Sequence, residues 1–281
     1  MESALLRKKE ALFALMKDFG SVVVAFSGGV DSSLLAVLAH EILGDAAVAV
    51  TVLSPLLPEE EKKDALKMAH QAGIHHVFLE MNELRDEKFT ANPPDKCYIC
   101  KKMRFERLAK WADGQSIPWI LDGSNADDTK DYRPGMKALS EIPIVRSPML
   151  EVGLTKSEIR KLSKEKGLFT WSKPARACLA SRLPYGETIT EEKLRRIEAA
   201  EIFLAGYLPA DSQFRVRSHG DIARIEMDLP EALKLLPENA GRIHDALEKI
   251  GFSYVTLDLK GYRMGSLNER LLESEARLGR P

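Results

Sequence analysis

Along the first half of the chain, short dense runs of apolar residues alternate with longer stretches whose apolar positions recur every three or four residues. Met1 to Gly20 sets Arg7, Lys8, Lys9 and Glu10 among apolar residues and predicts an amphipathic helix. Ser21 to Phe26 is a β-branched run that predicts a buried strand, followed by Gly28-Gly29 and a helical stretch from Asp31 to Leu43. Ala47 to Leu53 predicts the next strand, and Glu59 to Ala72 a helix with Pro58 near its first turn. His76 to Leu79 predicts a third strand, Lys101 to Trp111 a helix, and Trp119 to Leu121 a fourth strand running into Asp122-Gly123. Thr155-Lys-Ser-Glu158 is a capping-box pattern opening a further helix. Strands separated by helices at this spacing predict an α/β domain, a parallel sheet with helices on both faces. Such sheets bind ligands beyond the carboxyl ends of their strands.

After Arg182-Leu-Pro-Tyr-Gly186 the pattern changes. A helix from Glu191 to Leu204 capped by Thr190, strands at Phe214 to Arg217 and Ile222 to Met227 joined at His219-Gly220, a mostly helical Pro230 to Ile250, and a strand at Tyr254 to Leu257 follow in turn. This α-β-β-α-β order predicts a small α+β domain over 187–281, after a first domain over 1–186.

Composition narrows the class of protein. The 281 residues are 44% hydrophobic and 30% charged, a balance that supports a sizeable core. Lys plus Arg number 41 and Asp plus Glu 42, a net charge of -1 that gives no global attraction to nucleic acid or an anionic membrane. No apolar run is long enough to span a bilayer and no signal peptide is visible, so the cytoplasm is the expected compartment. The three cysteines, Cys97, Cys100 and Cys178, are an odd number and do not make a disulfide framework.

Ser27-Gly-Gly-Val-Asp-Ser-Ser33 carries the clearest chemistry. It leaves a buried strand and opens a helix. Gly28 and Gly29 let the backbone approach an anion, the helix N-terminus adds its positive dipole end, and Ser27, Ser32 and Ser33 add hydroxyl donors. Asp31 would repel phosphate by itself, and with Mg²⁺ bound it would help hold the metal against the phosphates. A plain strand-to-helix turn, relieved by Gly29 and capped by a serine, has the same local pattern. The G-x-x-x-x-G-K-[ST] and G-x-G-x-x-G loops do not occur in the chain, which weakens a kinase-like or dinucleotide-binding reading.

The loop resembles the PP-loop of the ATP pyrophosphatases, which include GMP synthetase, NAD synthetase, asparagine synthetase and several tRNA thiolases. Leu121-Asp-Gly-Ser-Asn-Ala-Asp-Asp128 resembles the second motif of that superfamily, with Gly123 and Ser124 near the sugar and phosphate of the nucleotide. The resemblance implies a Rossmann-like PP-loop domain that cleaves ATP between its α- and β-phosphates and passes AMP to an acceptor oxygen. A second resemblance covers nearly the whole chain. Asp131-Tyr-Arg-Pro-Gly135, Cys178-Leu-Ala-Ser-Arg182 with Pro184-Tyr-Gly186, Arg215-Val-Arg217 and Asp221-Ile-Ala-Arg-Ile-Glu226 are together similar to the LarE family, the sulfur-inserting enzymes of nickel-pincer nucleotide synthesis. It implies a small-molecule nucleotide substrate, pyridinium-3,5-biscarboxylic acid mononucleotide, whose carboxylate is adenylylated and converted to a thiocarboxylate.

Two sulfur chemistries are compatible with that family. In one, Cys178 gives up its own sulfur. In the other, Cys97, Cys100 and Cys178 hold three corners of a [4Fe–4S] cluster and leave one iron open for a sulfide. The C-x-x-C pair could instead bind zinc, although no obvious fourth ligand lies near it, and Cys178 by itself could be a buried hydrophobe. The cluster is favoured because the donor route gives Cys97 and Cys100 no role. Ser181 and Arg182 would sit at the reacting centre. Arg215 and Arg217 alternate on a strand and suit a phosphate, with Glu201 and Glu226 assisting and Lys101 reaching phosphate from its helix. A solvated strand face is the alternative for these charges. Trp111, Trp119, Trp171 and the methionines are expected to be core or structural residues.

The expected chemistry follows. ATP binds on Ser27 to Ser33 with Mg²⁺ near Asp31, a substrate carboxylate attacks the α-phosphorus, and a sulfur nucleophile then attacks the acyl adenylate. A homo-oligomer is the expected assembly. Three rivals stand beside this reading: a PP-loop tRNA thiolase, which would need a basic RNA-binding surface; an ATP-dependent amidating enzyme, which would need delivered ammonia; and a non-catalytic nucleotide-binding or cluster-scaffold protein.

Overall fold

The computed structural model describes residues 2–130, 134–174, 177–209 and 211–269. The chain forms two compact units: 1–83 with 95–176, and 84–94 with 177–281. The division falls before residue 177 rather than at the sequence-predicted 187, and the second unit includes a segment from far upstream. Backbone bonds tie that segment in: Gly186 N–H donates to Asn92 O at 2.9 Å and Ile189 N–H to Thr90 O at 2.8 Å. Asn92, fully buried at a φ of 55°, donates its amide to Pro184 O and Glu187 O. Asn tolerates this left-handed backbone better than most residues. No local pattern announces such a return, which is why the sequence placed the boundary later.

In chain order the elements are α1 (Glu2–Phe19), β1 (Val22–Ala25), α2 (Val30–Leu43), β2 (Ala47–Leu53), α3 (Glu59–Ala72), β3 (His75–Glu80), α4 (Glu87–Thr90), α5 (Lys96–Gly114), β4 (Trp119–Leu121), α6 (Pro134–Ser140), β5 (Val145–Arg146), α7 (Pro148–Glu151) and α8 (Lys156–Glu165). The second unit continues with α9 (Glu191–Ala205), β6 (Arg215–His219), β7 (Ile222–Glu226), α10 (Leu229–Ile250) and β8 (Tyr254–Leu257).

The first unit carries a parallel sheet in the order β3-β2-β1-β4-β5. Strand β1 lies in its centre, with Val22, Val23 and Val24 wholly buried, as a β-branched run covered on both faces should be. Helix α2 is apolar around most of its circumference because it packs between the sheet and its neighbours α1 and α8. Helix α3 starts after Pro58, carries Glu59, Glu60 and Glu61 in its first turn where the dipole favours anions, and stops at Gly73 with φ of 68°. The capping box at Thr155 and Glu158 is present in full at the start of α8. Trp171, one of the tryptophans expected to be core or structural, is exposed, its ring under the Lys164 ammonium at 4.6 Å.

The second unit carries a small sheet in the order β6-β7-β8, with β6 and β7 antiparallel and β7 and β8 parallel. Helices α9 and α10 supply Ala200, Leu204, Ile243 and Leu247 to the core beneath it. The α-β-β-α-β order expected from the sequence is the observed one.

Candidate active site

Strand order reverses between β1 and β4, so the connections after these two strands leave on opposite sides and open a crevice at their carboxyl ends. A cavity of about 300 Å³ lies there, lined by residues that include Ser27, Gly29 and Asp31 after β1, and Asp122, Gly123 and Ser124 after β4. The two stretches singled out as a phosphate loop and a second nucleotide motif thus line one cavity.

The loop is held in a fixed shape. Gly28 has a φ of 69°, and a Cβ there would meet the Ala65 backbone at 2.9 Å, so no larger residue fits. Ser27 N–H donates to Ser32 Oγ at 3.2 Å and the two hydroxyls lie 3.0 Å apart. Gly29 N–H donates to Ser27 Oγ at 3.3 Å, and Ser32 Oγ donates to Gly29 O. Ser33 is fully buried. Across the crevice, a Cβ on Gly123 would lie 3.3 Å from Ser32 N, so Gly123 lets the second motif close on the start of α2. A buried chain fixes the loop's entry: the His76 imidazole lies 2.8 Å from Thr51 Oγ1, whose hydroxyl donates to Phe26 O at 2.8 Å. Burial, with His75 nearby, pushes His76 down to about 4, so the ring is neutral near pH 7 and donates through Nε2.

Charge at the cavity is arranged in pairs with capacity to spare. Asp31 Oδ2 accepts from Lys156 Nζ, while Asp31 Oδ1 is buried without a hydrogen-bond partner. Burial raises the Asp31 carboxyl above its ordinary range, opposed by Lys156 and reinforced by Asp128. Lys101 lies 3.3 Å from Asp122 Oδ2, and Asp122 Oδ1 accepts from Ser124 N–H, Ser124 Oγ and Ser147 Oγ. Arg104 also lines the cavity. Lys173 donates to the carbonyl of Gly28 at 3.3 Å and pairs with Asp64 at 2.7 Å. An acceptor oxygen with no partner beside an anion-binding helix start fits a divalent cation, so the residues present suit Mg²⁺ with a nucleotide phosphate.

The helix carrying the C-x-x-C pair begins five residues before the sequence-predicted start at Lys101 and includes Cys97 and Cys100 in its first turns. Pro93-Pro94-Asp95 was a start signal there, masked in sequence by the polar run around it. Cys97 is exposed, Cys100 and Cys178 are half-buried, and all three thiols are free of disulfides.

In the second unit Cys178 precedes a single 3-10 turn, Leu179–Arg182. Its carbonyl accepts from Ser181 N–H at 3.0 Å, Ser181 Oγ at 2.7 Å and Arg182 Nη1 at 2.7 Å. Arg182 is buried and forks onto both oxygens of Glu201, each at 3.0 Å. Arg217 donates to Ser181 O at 2.9 Å and through Nε and Nη2 to Glu226 Oε2 at 3.0 and 2.8 Å. Glu226 is wholly buried and also accepts from Ser266 Oγ and pairs with Arg224. The structure therefore brings Cys178, Ser181, Arg182, Arg217, Glu201 and Glu226 into one bonded network. Arg215 differs. Among the described residues no carboxylate lies within salt-bridge distance of it, and its guanidinium rests 5.3 Å from the centre of the Tyr262 ring. Burial and the neighbouring Arg182 push its pKa below the ordinary range.

Sequence reasoning missed Lys156, Arg104 and Lys173, which meet the loop only through the fold, and it gave Asp122, inside the second motif, no role of its own. Residues 131–133 of the motif starting at Asp131 lie outside the described residues. Among the described residues no helix is long and apolar enough to cross a membrane.

The NAD synthase family model matches residues 14–97, a span that contains the loop. A pyridinium-3,5-bisthiocarboxylic acid mononucleotide synthase of Lactiplantibacillus plantarum is 40% identical, over 97% of this chain and 98% of its own. An uncharacterized protein of Synechocystis is 42% identical over 94% of this chain and 98% of its own. A glutamine-hydrolyzing GMP synthase polypeptide of Methanocaldococcus jannaschii is 29% identical over 52% of this chain and 50% of its own.

Proposed function

The chain belongs to the LarE family of PP-loop enzymes, and from that premise we propose how its residues divide the work of ATP-dependent sulfur transfer. It is an ATP-using sulfurtransferase of the nickel-pincer nucleotide route, acting on pyridinium-3,5-biscarboxylic acid mononucleotide. The observation that carries the mechanism is the switch-point cavity, where the PP-loop, the second motif and the partnerless Asp31 Oδ1 converge.

ATP binds there with its phosphates on Ser27 to Ser33 and its sugar-phosphate side toward Gly123 and Ser124. Asp31 would hold Mg²⁺, which would supply charge neutralisation on the phosphates. Lys101 and Lys156 stand beside the loop, each on a carboxylate from which it can turn to a phosphate oxygen, and both oppose the charge that gathers as pyrophosphate departs. A substrate carboxylate attacks the α-phosphorus, pyrophosphate leaves, and the carboxylate becomes an acyl adenylate with AMP as leaving group. Sulfur then attacks the acyl carbon and AMP departs. Arg215 takes the phosphate of the substrate nucleotide, while Arg182, Arg217, Glu201 and Glu226 fix the backbone around Cys178 and Ser181.

For the sulfur, we propose that Cys97, Cys100 and Cys178 act as one ligand set for a [4Fe–4S] cluster, which would supply an open iron for sulfide. The support is the C-x-x-C pair at i and i+3 in the first turns of α5 together with the third cysteine. A specific observation favours the second reading, Cys178 as the donor itself: its carbonyl is fixed by three donors, so the thiol is held by a rigid backbone whatever the other cysteines do. A cytoplasmic homo-oligomer remains the proposed setting.

Anaerobic turnover of the purified protein with ATP, Mg²⁺, sulfide and the dicarboxylate nucleotide tests both points. AMP, pyrophosphate and thiocarboxylate formed together support the mechanism; ATP bound without acid-stimulated turnover would leave a binding protein. Serine at any one of Cys97, Cys100 or Cys178 should lower iron content and sulfur transfer together. An iron-free active enzyme that loses H₂S from Cys178 would replace the cluster with the donor route.

A further inference from the structure

Glu83 is wholly buried just past the end of β3. Its Oε1 accepts from Arg104 Nε at 2.7 Å and from the Cys100 thiol, whose Sγ lies 3.9 Å away. Its Oε2 is buried with no hydrogen-bond partner. Removing a carboxylate from water is unfavourable unless its charge is paired and hydrogen-bonded, and Glu83 holds such a partner. What it holds is a guanidinium on the wall of the nucleotide cavity: Arg104 Nη2 donates to Ser54 Oγ at 2.9 Å, and Arg104 lines that cavity beside Lys101. Cys97, Cys100, Lys101 and Arg104 stand at i, i+3, i+4 and i+7 of α5, one stripe of the helix. By accepting from Arg104 Nε, Glu83 fixes one side of the guanidinium, and Ser54, just past the end of β2, fixes the far side.

We infer that Glu83 is a positioning residue for nucleotide binding: its buried carboxylate sets the Arg104 guanidinium against the phosphates or sugar of ATP in the switch-point cavity. The inference rests on the assignment of that cavity to ATP. Glu83 touches no nucleotide and acts through Arg104. A guanidinium anchored through Nε keeps its remaining N–H groups in a defined plane, and a lysine could not take that geometry.

The test is a double-mutant cycle on the full chain, with α,β-methylene ATP and Mg²⁺ as the probe in calorimetry. Glu83→Gln keeps the shape and removes the buried charge, so the fold is retained, and the dissociation constant should rise about tenfold, the loss of one charge-assisted contact. Arg104→Gln should weaken binding as much. The double variant should bind within about twofold of either single one, because both changes remove the same contact. Should Arg104→Gln fail to fold with Glu83 left uncompensated, the double variant, free of both charges, compared with Glu83→Gln decides the same question. In turnover, Glu83→Gln should raise KM for ATP while kcat at saturating ATP stays within about twofold, a split that a general loosening of the fold would not give. Unchanged affinity in Glu83→Gln, or effects that multiply in the double variant, would overturn the inference. Wild-type protein that fails to bind the probe would instead overturn the assignment of the cavity to ATP.

Discussion

At the cavity of the first unit, Asp31 offers one oxygen to Lys156 and leaves the other buried and unsatisfied, while Lys101 rests on a single carboxylate. In the second unit, Arg182 and Arg217 are forked onto Glu201 and Glu226, and Arg224 bridges Glu226 and Asp258. Native proteins leave few buried polar atoms unpaired, so an orphan in a cavity wall marks where a ligand or metal completes the bonding. Matched charges do the opposite. They hold a backbone in place and resist movement. Within the second unit Arg215 behaves like the first unit's site, a half-buried cation that makes no salt bridge among the described residues, with Glu201 acting on it only at longer range.

The sharpest break of this comparison is Asp31. Asp31→Ala should lower pyrophosphate release about a thousandfold, because the metal and the charge it neutralises are lost together. Release at the wild-type rate would defeat the assignment. Stability should move the other way. Burial raises the Asp31 carboxyl above its ordinary value of 3.8, so the folded protein binds that proton more tightly than the unfolded chain. A raised carboxyl contributes most below the unfolded value and loses that contribution as pH rises through the folded one. Asp31→Asn should therefore raise the unfolding midpoint at neutral pH in metal-free buffer. The difference should vanish below 3.8, where the wild-type side chain is protonated in both states.

Arg217 supplies the opposite case. Its side chain is 7% exposed and that of Glu226 0%. Arg217→Ala should cost about 3 kcal/mol in urea unfolding, since a buried carboxylate loses its main partner. Adding Glu226→Gln should recover part of that loss, because the charge left behind is gone. A variant with wild-type stability would show that Arg217 is no scaffold and return it to the substrate site.

What was legible in the sequence divides along the same line. The loop Ser27 to Ser33 and the motif at Leu121 to Asp128 are local, their glycines and serines next to one another, and the strands that carry them are apolar runs between turn residues. The α-β-β-α-β order of the second unit was legible for the same reason. Strand β5, two residues long, has no periodicity to detect. Lys156 is 125 residues from Asp31 and meets it only because α8 packs beside α2. Glu83 reads in sequence as one more surface acid, and the fold buries it. Alternation placed Arg215 and Arg217 on one strand face, but charge type could not separate the paired arginine from the other.

That separation is the smallest and most specific effect expected. Arg215→Ala removes a guanidinium that donates to the Phe214 carbonyl, rests on the Tyr262 ring and feels the charges of Arg182 and Glu201 without a salt bridge among the described residues. No buried carboxylate is orphaned by its loss, so urea unfolding should stay within about 0.5 kcal/mol of wild type. Affinity for the dicarboxylate nucleotide should fall about tenfold, the scale of one charge-assisted contact to phosphate. Affinity for ATP should not change. Arg215→Lys should fall between the two, since the ammonium keeps the charge and loses the planar fork. Calorimetry with each ligand separates the outcomes. If both arginine variants lose stability alike and neither loses substrate, the second unit carries one undivided scaffold and the substrate phosphate binds elsewhere. If Arg215→Ala weakens only the acid substrate while Arg217→Ala weakens only the fold, two arginines two positions apart on β6 have different work because one is bridged to a carboxylate and the other, among the described residues, makes no salt bridge.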